Sequence, residues 1–276
     1  MQIKYCCTFW GCENESAHNF FNKVITAGYD GIEINLPSNN IFIKGLINKL
    51  DIERTRDEKF IFILQHLTEP EADNIAVYIR RMEKNIQNLA AYNPSFINSL
   101  TGKDYYTFDE NCRVIEAVLN LSIKTGIKIM HETHRGRFSF HAASLIKYWE
   151  KFPEMELVGD FSHFCTVSES MLQNQEHILN KIIPHVSHIH ARVGFEQGPQ
   201  VNDPEAPEWL NHSEIFLIWW NKILQDKILQ GYKKFTITPE YGPAPYMPSL
   251  PINKKPLSNQ WNNNLKMMVD LKKLII

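Results

Sequence analysis

The chain lacks any long apolar run. Its most hydrophobic stretch, residues 215–220 (IFLIWW), falls far short of the roughly 20 residues that span a bilayer. Cysteine is sparse: Cys6, Cys7, Cys12, Cys112 and Cys165 form an odd set with no framework spacing. That excludes a disulfide scaffold and points to reduced thiols. Neither sign of charge dominates, with 29 Lys and Arg against 31 Asp and Glu and a net charge of −2. No basic surplus advertises nucleic acid or an anionic membrane, so neither is expected as a partner. Residues 1–6 (MQIKYC) lack the basic-then-apolar pattern of a signal peptide. The expectation is a cytoplasmic protein. A glycine-rich turn is also missing after the first strand-like run. Residues 10–13 (WGCE) are no dinucleotide fingerprint, which argues against an open nucleotide-binding sheet. No internal repeat or flexible linker divides the chain.

What is present is alternation. Strand patterns are expected over residues 3–9, 31–36, 60–66, 95–99, 127–132, 156–160, 186–190 and 234–240. Helical patterns fall between and after them, over residues 16–27, 42–54, 75–92, 107–126, 140–151, 169–183, 207–230 and 259–274. Eight strand–helix units in 276 residues, 43% of them hydrophobic, fit one closed barrel of about 250 residues. The expected fold is therefore α/β, a (β/α)8 TIM barrel, with residues 1–276 as a single domain.

Four of these strands end on a side chain that can bind a metal. They are residues 127–132 (IKIMHE), 157–160 (LVGD), 186–190 (VSHIH) and 235–240 (FTITPE). Each runs into a loop-like stretch: 133–137 (THRGR), 161–164 (FSHF), 191–194 (ARVG) and 241–245 (YGPAP). In a parallel barrel such strand ends converge on one face. Glu132, Asp160, His190 and Glu240 thus form a candidate ligand set of three carboxylates and one imidazole. That set suits one divalent ion such as Mn, Zn, Co or Mg. Strand parity places Thr236, Thr238 and Glu240 on one face, directed into the barrel. His188 and His190 share a face too, with His188 one layer deeper. Two connections, residues 192–208 and 241–256, are long, follow ligand strands and are expected to lie over the site.

The order Glu, Asp-x-x-His, His, Glu along strands five to eight resembles the xylose isomerase-like barrel superfamily. Tyr29-Asp30-Gly31-Ile32-Glu33 is similar to that group's recurrent opening of strand two. Residues 131–137 (HETHRGR) and 190–203 (HARVGFEQGPQVND) look like a branch known as sugar phosphate isomerase/epimerase. The resemblance spans nearly the whole chain. It implies that Glu132 and Glu240 double as acid/base groups and that His163 and Arg192 bind substrate. Trp10, Glu33 and His66, at the ends of strands one to three, would offer a stacking face and hydrogen bonds to hydroxyls. His134 and His188 complete the candidate substrate-binding set. A cation chelating a carbonyl and its neighbouring hydroxyl stabilises the enediolate formed when the intervening C–H ionises. The expected activity is metal-dependent isomerisation or epimerisation of a sugar or sugar-like polyol, with a homo-oligomer compatible. The alternatives are an inosose-type dehydratase and, more remotely, an AP endonuclease-like phosphodiesterase. The latter needs a further Asp-x-His where this chain has Asn202-Asp203-Pro204-Glu205, and a His where strand four ends in Asn98-Ser99.

Overall fold

A computed structural model describes residues 1–67 and 74–274. Eight parallel strands close on themselves in chain order: β1 Gln2–Thr8, β2 Gly31–Ile34, β3 Ile61–His66, β4 Phe96–Ser99, β5 Ile129–Glu132, β6 Leu157–Gly159, β7 Val186–Ala191 and β8 Lys234–Pro239. Helices α1 Ala17–Thr26, α2 Asn40–Arg56, α3 Ile75–Ala90, α4 Phe108–Thr125, α5 Ala142–Trp149, α6 Ser162–Ser168, α7 Glu176–Ile182, α8 Leu210–Leu229 and α9 Gln260–Leu274 connect and follow them. This is the (β/α)8 TIM barrel expected from the alternation. None of the described helices is long and apolar enough to cross a membrane.

Local chemistry sets the helix ends. Ser16 caps α1 by accepting from the Asn19 N–H at 3.2 Å. Thr107 and Glu110 form a reciprocal capping box at α4, satisfying orphan donors at that terminus. Gly126 ends α4 at φ +70°, a left-handed conformation that costs glycine no Cβ clash.

The main departure from expectation lies after β6. A single helix over 169–183 was expected, with 161–164 as a loop. Instead α6 begins at Ser162, whose N–H donates to Asp160 Oδ1 at 3.1 Å. The chain then turns out of the helix at Glu169 (φ 45°) and Leu172 (φ 54°) before α7. His163 therefore sits on a helix rather than in a loop.

The core has two parts. An outer layer, including Phe20, Phe21, Ile32, Leu46, Phe62, Val118 and Trp220, packs the strands against the helices. An inner plug of Cys6, Ile61, Ile63, Phe96, Met130 and Val158 fills the lower barrel. Every inward position above this plug on β2 to β8 is polar, and that is where the candidate ligands lie. Cys165 packs in the outer core, and burial raises its thiol pKa.

Candidate metal centre and cavity

The alternation of strand residues puts Glu132, His188, His190, Thr236 and Thr238 inside the barrel, and Asp160 and Glu240 follow directly on β6 and β8. One ligand-capable atom from each of Glu132, Asp160, His190 and Glu240 lies within 4.8 Å of the other three. All four residues are buried. His190 Nδ1 lies 2.8 Å from Glu240 Oε2 and 3.8 Å from Glu132 Oε1. This buried nitrogen pairs with Glu240 by charge but not in hydrogen-bond geometry. A buried ring nitrogen facing three carboxylates has the donor chemistry of a site for a hard or borderline divalent cation. These residues fit a metal ion.

Two other groupings also bring ligand types together. Glu33, His188 and His190 are within reach of one another, as are Glu132, His134 and His163. The first is already satisfied by hydrogen bonding: Thr238 Oγ1 donates to Glu33 at 2.6 Å, and His190 Nε2 lies 2.9 Å from it. In the second, the rings of His134 and His163 are tilted by 43° with centroids 3.9 Å apart, and the Arg192 guanidinium lies 3.0 Å from His163 Nε2. Only one of these three groups is a carboxylate, against three in the four-residue cluster, so less charge is there to attract a divalent ion.

The electrostatics separate the two glutamates. Burial pushes Glu132 up to about 8, against the pull of His190 and with help from Glu240 and Asp160. Burial also acts to raise Glu240, but His190 and Arg192 outweigh it and hold this carboxyl below its usual range. His190 is driven well above the ordinary histidine range, because Glu240, Glu33 and Glu132 overcome its burial. Asp160 is raised by burial although Arg192 is paired with it.

Above the cluster opens a cavity of about 340 Å³. Glu132, Glu240, Arg192, His134 and Trp10 all line it. Trp10 is seated by close packing on Gly242, where a Cβ would come within 2.1 Å of the indole ring. Tyr246 meets Trp10 edge-on at 4.9 Å and lies under the Arg192 guanidinium at the same separation. Arg192 also pairs with Asp160 and donates to the Glu240 backbone carbonyl at 3.2 Å.

Other expected substrate groups are placed differently. His163 is fully buried behind Arg192, with burial holding its pKa well down. His188 lies a layer lower, its Nδ1 2.6 Å from Thr236 Oγ1. Glu33 is fully buried beneath His190 and does not line the cavity. His66 points away from the barrel axis, with Nδ1 3.0 Å from Ser99 Oγ, and burial holds its pKa near 4.

Sequence reasoning missed three groups. Gln65 takes the inward position next to His66 and donates to Glu240 Oε1 at 3.0 Å. Asn98 donates to Glu132 Oε2 at 2.7 Å. The alternation Ile61, Ile63, Gln65 was the available signal for the first, and Phe96, Asn98 for the second. Tyr246 carried no signal, since it lies within a proline-rich connection. Of the two long connections, 241–256 supplies Tyr246 to the cavity. The other, 192–208, supplies Arg192 and is tied to it through Gln200, which accepts from the Gly242 N–H at 2.7 Å.

No protein-family profile matches this chain, and no curated protein matches it by sequence. Solved structures do share its fold. A D-tagatose 3-epimerase-like protein superposes with TM-score 0.63 at 15% identity, over 98% of this chain and 96% of that one. The IOLI protein with a bound zinc atom gives 0.64 at 14% identity, over 99% of both chains. A probable 3-DHS dehydratase, AsbF from Bacillus anthracis, gives 0.61 at 12% identity over 99% of both. The chain thus has the fold of the xylose isomerase-like barrels and sugar epimerases.

Proposed function

We propose that this chain is a divalent-metal-dependent isomerase or epimerase of a sugar or sugar-like polyol. The observation that carries the reading is the convergence of Glu132, Asp160, His190 and Glu240 beneath a small-molecule cavity. Glu132, Asp160, His190 Nδ1 and Glu240 would hold the ion. When bound, a divalent cation supplies the Lewis acidity that makes a C–H beside a carbonyl removable.

The chain's own residues supply the rest. Glu132 and Glu240 come from strands three apart around the barrel, so they approach a bound substrate from different directions. Both carboxylates line the cavity, where each can exchange a proton with a bound substrate. Removal on one side of a carbon and return on the other inverts that centre. Return to the adjacent carbon interconverts aldose and ketose. Trp10 and Tyr246 present aromatic surface that suits the C–H face of a sugar ring. Arg192 and His134 line the same cavity and provide polar contacts for hydroxyls.

The test is solvent exchange. Metal-loaded protein is incubated in deuterated water with a panel of ketoses and inososes, and deuterium at the carbon next to the carbonyl is read by NMR. Incorporation accompanied by turnover supports the proposal. Cleavage of abasic DNA with every sugar untouched would replace it with a phosphodiesterase.

A further inference from the structure

Glu33 is a fully buried carboxylate that does not line the cavity. Packing alone does not explain it, because an apolar side chain fills buried space without the cost of desolvating a charge. Its partners do. Three donors converge on one oxygen, Oε1: His190 Nε2 at 2.9 Å, Asn98 Nδ2 at 3.1 Å and Gln65 Nε2 at 3.2 Å. The other oxygen accepts from Thr238 Oγ1 at 2.6 Å and lies 3.3 Å from His188 Nε2.

Each of the three donors on Oε1 leads to a different candidate ligand. His190 is one itself, and its opposite ring nitrogen, Nδ1, faces the cluster. Asn98 uses the same amide nitrogen to hold Glu132 Oε2 at 2.7 Å. Gln65 likewise uses its amide nitrogen to hold Glu240 Oε1 at 3.0 Å. In both glutamates the tethered oxygen is the one turned away. The other, Glu132 Oε1 or Glu240 Oε2, is the one nearer His190 Nδ1. With carboxylates on both sides, each amide must present its NH2 group inward, so a single acceptor atom orients both amides and one imidazole.

We infer that Glu33 is the positioning residue of the site: one of its oxygens sets the orientation of three of the four metal ligands, His190 directly, Glu132 through Asn98 and Glu240 through Gln65. The inference rests on the metal reading proposed above. It assigns Glu33 to the support of the ligands rather than to contact with substrate hydroxyls. Partners of this kind, which fix a ligand's tautomer and rotamer, typically change metal affinity by about 10–100-fold when altered. Glu33→Gln keeps the shape but removes the negative charge, and with it the charge-assisted hold on His190, Asn98 and Gln65.

The experiment is a cobalt(II) titration of the full chain, read by calorimetry and by the visible spectrum of the bound ion, with thermal unfolding of each metal-free protein alongside. Folded Glu33→Gln is expected to bind cobalt about 10–100-fold more weakly, with displaced visible bands. Asn98→Ala and Gln65→Ala should each weaken binding in the wild-type background and do less in the Glu33→Gln background, since residues acting along one route are not additive. A role confined to stability would lower the unfolding temperature and leave affinity and spectrum unmoved; that result overturns the inference. If Glu33→Gln does not fold, the two amide variants decide: wild-type affinity in both overturns it, and weakened, spectrally altered binding in both supports it. Failure of the wild-type chain to take up cobalt removes the metal reading and this inference with it. Uptake by wild type with an indifferent Glu33→Gln removes this inference alone.

Discussion

The two halves of the barrel mouth are built on different principles. The half from β5 to β8 carries groups that can hold a cation: Glu132, Asp160, His190 and Glu240. The half from β2 to β4 carries Glu33, Gln65 and Asn98, whose side chains contact those groups and one another. In the proposed reading, one half supplies the charge that holds the ion. The other supplies the direction in which that charge points. A metal site needs both, because carboxylates and imidazoles have rotatable bonds and like charges drive one another apart unless something restrains them.

The largest effect is expected at His190. His190→Ala should abolish tight binding of manganese or cobalt, as measured by equilibrium dialysis against chelator; retained binding would move the site elsewhere. Next come the two carboxylates proposed to move protons. Glu132→Gln and Glu240→Gln, with metal occupancy measured in each, should lose about 10²–10⁴-fold in solvent exchange, the usual weight of general acid–base catalysis. Full activity in metal-loaded variants would leave these carboxylates as ligands only.

A pH dependence follows from the same half. Metal-free Glu132 holds its proton up to about 8, and His190 is shifted well above its ordinary range. A metal ion must displace both protons. Raising the pH removes the competitor, so affinity should climb by about tenfold or more per unit between pH 6 and 8, with proton release visible in buffers of different ionisation enthalpy. Affinity that is flat or falling over this range would contradict the assignment.

The smallest effect separates neighbours on β3. Gln65→Ala should weaken metal binding by about 10–100-fold. His66→Ala loses its Ser99 contact and leaves a cavity, at a cost of about 2–5 kcal/mol of stability, and should leave metal affinity unchanged. The reverse result would mean the two side chains are exchanged across the barrel wall.

The charged half was legible in the sequence because its signal is chemical. Three carboxylates and an imidazole at successive strand ends are hard to read otherwise, and period-two alternation in 234–240 and 186–190 was enough to aim them. The supporting half was not. Gln65 and Asn98 are neutral amides, at home in any loop, and their meaning exists only once they meet Glu33 between two glutamates. His66 drew the eye because it is a histidine, yet the alternation of Ile61 and Ile63 gives the inward position to Gln65. The expected helix over 169–183 missed α6 for a similar reason. Asp160 was read as a ligand first, and its Oδ1 also accepts from the Ser162 N–H where α6 begins.

The central claim is a single cation held by Glu132, Asp160, His190 and Glu240. Anomalous diffraction from a crystal grown with manganese, recorded where manganese scatters anomalously, tests it most directly. One strong peak per chain is expected, bounded by those four side chains at the floor of the cavity. A peak bounded by Glu132, His134 and His163, several peaks in a cluster, or none at all would contradict it.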